Sequence, residues 1–460
     1  MSILLHGSAP AYGARAGLRV SRDVVYRAVW RWHFYAGLLC LPFLISLSAT
    51  GALYLFKNEI NGSLFAYRTR VAPQGAPALG PDRLIFNALQ AVPDASPVSY
   101  LDPATPDASA IVTLAAGERR ILVYLNPWTG DVLDRVARDA EFMTVVRGLH
   151  SLAYLGAVAN AVIEVVAGFA IILVVTGAYL WWPRGRSGGG LSVRGTPRQR
   201  VWWRDLHAVT GLVAGAGLFF LALTGLPWSI WWGQQLRTWS NAAGLGQPAA
   251  LWSDRPVSTV PLRERLSEPG WTLQDAPVPR SEAAPGPAAT LGIDEAAAIL
   301  SRLAMPAGYE LALPVGADGV YAASVYPQDV TRQRVIALDQ YTGTPLLDVH
   351  FADLGPVGPA IQYGIGIHKG EHWGRANQFA MLAFCLATIL LAVTAGTMWW
   401  KRRPAGGLGV PPWPGDRRVA VLVTASVAAL GTLFPLTGLA ILAMLGLDLA
   451  AQRLRKRPGA

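Results

Sequence analysis

Two pairs of apolar segments in this chain repeat the same residues at the same offsets, and that register restricts the fold more than any other feature. His33 is followed by Gly37 four residues on and by Thr50-Gly51 after seventeen; His207 is followed by Gly211 and Thr224-Gly225 at the same offsets. His150 precedes Gly156, Thr176 and Trp181-Trp182, and His368 precedes Gly374, Thr394 and Trp399-Trp400, at offsets of 6, 26 and 31 in both cases. A spacing of four puts two residues on one helix face, one turn apart. The chain reads as a tandem duplication whose histidines recur at the ends of apolar helices.

Those helices read as membrane spans. Of the 460 residues 52% are hydrophobic and only 15% charged, with a mean hydropathy of +0.33, a balance unlike that of a soluble protein. Four stretches, about 33–56, 158–182, 206–232 and 376–400, reach the roughly 20 residues that cross a bilayer. A fifth, 418–452, is interrupted by Gly431 and Pro435 and reads either as one kinked helix or as a helical hairpin. The first apolar segment begins near residue 33 and is too long for a cleaved leader, so it reads as an uncleaved signal anchor.

The net charge of +10 is segregated, which argues for membrane topology and against nucleic-acid binding. The tail 1–32, the loops 183–205 and 401–418 and the tail 453–460 hold 20 Lys/Arg against three acids, Asp23, Asp205 and Asp416. The long segments 57–150 and 233–375 hold 19 Lys/Arg against 24 Asp/Glu. The positive-inside rule puts the short basic segments in the cytoplasm and both long segments outside. A basic C-terminus on the inside favours an even number of crossings, hence the hairpin.

The long segments share a plan. Asp82–Ala91 reads as a helix, followed by β-type runs at 97–101, 109–115 and 120–126 and the turn Asn126-Pro-Trp-Thr-Gly130. Asp294–Leu303, runs at 309–313, 319–326 and 333–339, and Asp339-Gln-Tyr-Thr-Gly343 repeat it. Each is expected to be a small α+β unit with a three-stranded meander. The Pro-, Ala-, Gly- and Ser-rich stretch 240–290 lacks periodicity and reads as linker.

Histidine in a membrane span is costly and is a functional candidate by default. Two imidazoles on one iron give a haem suited to electron transfer. Packing the two copies together brings equivalent positions face to face. The expectation is one haem held by His33 and His207 near the cytoplasm, and a second held by His150 and His368 near the outside. His372, four residues after His368, is an alternative outer ligand or a substrate contact. Gly37 and Gly211 are expected to leave room for the porphyrin. Arg31 and Arg204, with Arg27 inside and Arg147, Lys369 and Arg375 outside, are candidates for the propionates or for headgroup contact. No Cys-x-x-Cys-His occurs, so both haems are expected to be b-type, and Cys40 and Cys385 fall inside spans. Glu164 is a polar residue within a span, open to a proton, quinol or bundle-pairing role. Phe43, Phe169 and Phe219 are the aromatics offered between the two haems. No nucleotide- or flavin-binding motif is present, so electrons are expected from a membrane quinol or a cytoplasmic flavoprotein.

The run Trp30-Arg-Trp-His33-Phe-Tyr-Ala-Gly37, with Pro42-Phe43 and Thr50-Gly51, resembles the first span of the PepSY-associated transmembrane family. The Asn/Asp-x-x-Thr-Gly turns resemble those of PepSY domains, and Phe434-Pro435-Leu-Thr-Gly438 resembles the family's closing segment; the likeness covers roughly 25–452. It implies a mainly α-helical integral membrane protein, a tandem-duplicated helix bundle with two small external α+β PepSY-like domains, in a bacterial inner membrane. Members include iron-regulated proteins and ferric-siderophore reductases. The function implied is therefore transmembrane electron transfer through two haems to an Fe(III)-siderophore on the periplasmic side, in iron uptake. The alternative is a PepSY-bearing docking or regulatory protein without redox activity. A transporter fits less well, because both halves cross in the same order and no matching pair of broken helices appears.

Overall fold

The computed structural model describes residues 22–182, 190–247, 256–282, 289–412 and 416–455. The chain opens with α1 (Arg22–Leu55), then two short helices, α2 (Lys57–Ser63) and α3 (Ala66–Thr69). A first α+β unit follows: α4 (Pro81–Ala91) and strands β1 (Ser96–Leu101), β2 (Ala110–Ala116), β3 (Arg119–Leu125) and β4 (Val132–Ala137). The chain continues through α5 (Phe142–His150), α6 (Ala157–Trp181), α7 (Arg200–Gly225) and α8 (Trp231–Ala242). Strands β5 (Val257–Pro261) and β6 (Pro277–Pro279) precede the second unit: α9 (Ile293–Arg302), β7 (Glu310–Ala312), β8 (Val320–Val325), β9 (Arg334–Asp339) and β10 (Pro345–His350). The helices α10 (Val357–His368), α11 (Arg375–Arg402), α12 (Arg417–Leu433) and α13 (Pro435–Arg455) complete it.

Four helices, α1, α6, α7 and α11, are long and apolar enough to cross a membrane. They overlap the four stretches read from the sequence, but the third, read as 206–232, ends at Gly225, and Trp231 and Trp232 open α8. The first begins earlier than expected, so Arg27, Arg31 and His33 all lie within α1 rather than before or at its start. The four form a ring: α1 packs on α6 and α11, and α7 packs on the same two. This leaves α1 and α7 diagonal to one another. At one end of α1 Ala36 and Cys40 pack with Val166, Phe169 and Ile172 of α6 and Ile441 of α13.

The fifth apolar region folds back on itself. Phe434 carries a non-helical backbone (φ −130°, ψ 80°) and is followed by Pro435, which cannot donate to the preceding turn. Gly431 and Gly438 then lie against each other; a Cβ at Gly438 would sit 2.3 Å from the Gly431 Cα. The turn lies beside Trp232, whose indole donates to the Leu433 carbonyl at 2.6 Å. At the opposite end, Arg31 reaches both Pro411, just before α12, and Asp448, near the end of α13. The region therefore leaves and returns to one end of the bundle. It is a hairpin.

The two α+β units are not separate. Their strands form a single antiparallel sheet in the order β10-β9-β8-β7-β1-β2-β3-β4, joined where β1 pairs with β7 (Tyr100 opposite Leu311). The helices α4 and α9 share one core on this sheet, with Leu84, Ala88, Ala296 and Leu300 fully buried among Leu114, Leu125, Leu311 and Ile336. Pairing β1 with β7 removes two exposed strand edges that isolated units would present. Each unit also has a fourth strand that the sequence reading lacks. These strands, β4 and β10, are the outer edges of the sheet, and their charged residues (Asp134, Arg135, Asp348) blur the apolar alternation.

The stretch 240–290 is not a loose linker over its described part. Strands β5 and β6 pair, and Leu262, Leu266, Leu273 and Val278 cover the second face of the sheet over Val320, Val335, Leu347 and Val349. Its contacts come from short irregular pieces, so no helical or strand period marks it in the sequence.

Candidate functional site

His33 on α1 and His207 on α7 face one another across the ring. Their ring centroids are 6.4 Å apart and their planes cross at 84°. His150 and His368, the last residues of α5 and α10, repeat this arrangement at the sheet end, with centroids 6.5 Å apart and planes at 89°. His150 and His368 thus stand on short helices that precede α6 and α11, not on the candidate spans themselves. Along α1 the two pairs are separated by seventeen residues, about 25 Å of helix.

Each histidine is held through Nδ1 by a threonine from another element. His33 bonds Thr176 of α6 at 2.8 Å and His207 bonds Thr394 of α11 at 2.9 Å. His150 bonds Thr50 of α1 at 3.1 Å and His368 bonds Thr224 of α7 at 2.8 Å. A threonine hydroxyl has one hydrogen to give. Here it goes to the threonine's own helix: to Ser46 from Thr50, Ile172 from Thr176 and Phe220 from Thr224, at 2.6 to 2.7 Å, and to Leu391 from Thr394 at 2.9 Å. With the hydroxyl hydrogen assigned to the threonine's own helix, the threonine oxygen accepts and Nδ1–H of the histidine donates. This assigns the hydrogen to Nδ1 by satisfying the network and leaves the Nε2 lone pair of all four rings free.

The glycine after two of these threonines makes room for the ring. A Cβ at Gly51 would lie 3.3 Å from Cε1 of His150, and one at Gly177 the same distance from Cε1 of His33. At the sheet end burial, with the neighbouring His150 adding to it, holds His368 down to about 3; burial lowers His150 as well. Both imidazoles are neutral at physiological pH, the form that binds metal.

The pairs fit an axial role on a haem iron. An imidazole nitrogen binds a metal at about 2.1 Å, so two rings on opposite sides of one iron have centroids about 6 Å apart. Among the described residues no group of three His, Cys, Asp or Glu converges. Two imidazoles supply too few ligands for a metal centre made by protein alone, whereas a porphyrin provides the others.

The model of the PepSY-associated TM region matches residues 30–402, most of the chain and both histidine pairs. The chain belongs to the PepSY-associated TM region family. None of the curated proteins compared with it matches.

The other candidate residues of this family member divide by their partners. Arg31 is buried and ion-paired with Asp448 while also meeting Tyr35 at 3.2 Å, so its guanidinium ties α1 to α13. Arg204 is half-exposed and bonds Asp205 at 2.7 Å; Arg194 shares that carboxylate. His372 lies beyond the end of α10, not on the same helix face as His368. Its ring lies between Tyr363 and Trp373, each with its centroid at 5.0 Å, and it is His368 that faces His150. His350 bridges to Asp348 at 3.4 Å on the edge strand.

Lys369 pairs with Glu371 at 3.0 Å, and Arg147 reaches Glu268 at 3.9 Å. Glu164 is buried in α6 and accepts the backbone N–H groups of Trp231 and Trp232, so it caps α8. Phe169 is buried beside Cys40, Phe43 packs against the same cluster and Phe219 is exposed. A Cβ at Gly37 or Gly211 would meet only a leucine side chain in ordinary contact, Leu173 at 3.8 Å and Leu391 at 3.6 Å. Sequence reasoning used the four threonines as register marks and gave them no role. The signal was their fixed distance from the histidines.

Proposed function

We propose that this chain is a membrane oxidoreductase that holds two b-type haems and carries electrons across the bilayer to Fe(III)-siderophores on the outer side. The observation that carries the proposal is the pair of facing histidine pairs, each at a spacing that would let two imidazoles hold one haem iron, about 25 Å apart along the bundle. Bound haem would supply a reversible one-electron iron couple at each pair.

The residues of the chain position and insulate these couples. His33 and His207 would hold the inner one, His150 and His368 the outer. Arg204, whose fork keeps donors beyond those bonded to Asp205, is the residue we assign to an inner propionate. The charge segregation supports an orientation with the pair His33–His207 towards the cytoplasm and the sheet in the periplasm of a bacterial inner membrane. Electrons would enter from a quinol or a cytoplasmic flavoprotein and leave near His150–His368, below the sheet. One electron reduces each ferric ion, and the lower charge of Fe(II) weakens its hold on hard oxygen ligands, releasing iron from the chelate.

A reduced-minus-oxidised spectrum with pyridine haemochrome quantitation tests this. Two b-type haems per chain, both re-oxidised by an added ferric hydroxamate, are expected. A purified protein with no Soret absorption refutes the proposal and brings forward the reading of a docking protein without redox activity.

A further inference from the structure

We infer that Thr50, Thr176, Thr224 and Thr394 are positioning residues that fix the tautomer of the four histidines and raise their basicity as ligands. The inference rests on the haem reading above and deepens it. Four threonines stand in the same relation to four histidines, at 2.8 to 3.1 Å from Nδ1. In each case the hydroxyl hydrogen is committed to a carbonyl of the threonine's own helix. The only role left to the oxygen is acceptor. A histidine that donates Nδ1–H to an acceptor presents Nε2 in fixed orientation and with more electron density. Greater basicity favours the ferric over the ferrous state, so each threonine lowers the potential of the iron its histidine binds.

The assignment crosses the chain in a way that sequence proximity does not suggest. Thr50 shares α1 with His33 yet serves His150; Thr224 shares α7 with His207 yet serves His368. One helix therefore carries a ligand for the inner pair and an orienting group for the outer pair.

The test is potentiometric titration of the purified protein, following each haem by its electron paramagnetic resonance signal, for Thr→Val and Thr→Ser at each position. Valine keeps the shape and removes the acceptor; serine keeps the acceptor. Thr176→Val and Thr394→Val should raise the potential of the haem that disappears in His33→Ala and leave the other in place. Thr50→Val and Thr224→Val should do the reverse, and every serine variant should return the wild-type value. If a valine variant loses haem, loss confined to the facing pair supports the inference, and loss from the other pair or from both overturns it. Unchanged potentials in all four valine variants, or shifts that serine fails to reverse, also overturn it while leaving the haem reading intact. Wild-type protein without haem removes the parent reading and this inference together.

Discussion

The imidazoles of His33 and His207 cross at 84°, nearly perpendicular, and belong to helices that do not pack as neighbours in the ring. The bundle itself holds this angle, because each ring is fixed by a threonine on a flanking helix. Two histidines placed so could share one iron, and the same crossing recurs at 89° between His150 and His368.

The first prediction is pairwise loss. His33→Ala and His207→Ala should each remove the same one of two haems, and His150→Ala and His368→Ala the other, leaving about half the wild-type pyridine haemochrome. Near-perpendicular rings should also give the strongly anisotropic low-spin resonance of crossed imidazoles and not the rhombic one of parallel rings. Unchanged haem content in all four variants would refute the ligand assignment.

The second concerns direction of electron flow. His150→Ala and His368→Ala should keep an inner haem that can be reduced but discharges slowly to an external ferric chelate. Stopped-flow re-oxidation measures this. Re-oxidation at the wild-type rate would mean that the outer pair is not the exit.

The third is topological. In a background lacking Cys40 and Cys385, a cysteine in place of Glu118, in the exposed turn between β2 and β3, should react with an impermeant thiol reagent in intact spheroplasts. A cysteine in place of Arg198, in the exposed basic segment before α7, should react only after lysis. The opposite pattern would invert the membrane orientation.

The fourth addresses the sheet. Leu300 of α9 is fully buried in a core built from both α+β units, so Leu300→Ala should cost about 2–5 kcal/mol. Both units should lose protection together in hydrogen exchange, because β1 and β7 are paired. Exchange accelerated in the second unit alone would show that they unfold separately.

The fifth is a pH effect at the same junction. Burial, and then the facing carboxylate of Asp294, raise the carboxyl of Asp82 above its usual range. An acid whose folded value is raised destabilises the fold once pH exceeds that value, and the penalty vanishes below the unfolded value. Asp82→Asn should therefore stabilise the sheet at neutral pH, by less than about 1 kcal/mol for so exposed a group, and have no effect at pH 3. A gain that persists at pH 3 would rule out the carboxylate as its source.

The sequence by itself determined the four candidate spans, the charge asymmetry of the segments between them and the register of the four paired histidines. These are local properties: apolar length, a period of 3.6 and fixed offsets survive in any arrangement of the helices. It also resolved the helices and three strands of each α+β unit, since their cores impose a period on the chain. Only the tertiary structure decided that α1 and α7 are diagonal, that Thr50 serves His150 and not its own helix's histidine, that β1 joins β7 in one sheet, and that Gly431 meets Gly438 in a hairpin. It also committed Arg31 to Asp448, 417 residues away. Each of these depends on a contact between segments far apart in the chain, chosen by packing and by the need of a buried donor or acceptor for a partner. No local pattern in the sequence encodes that choice.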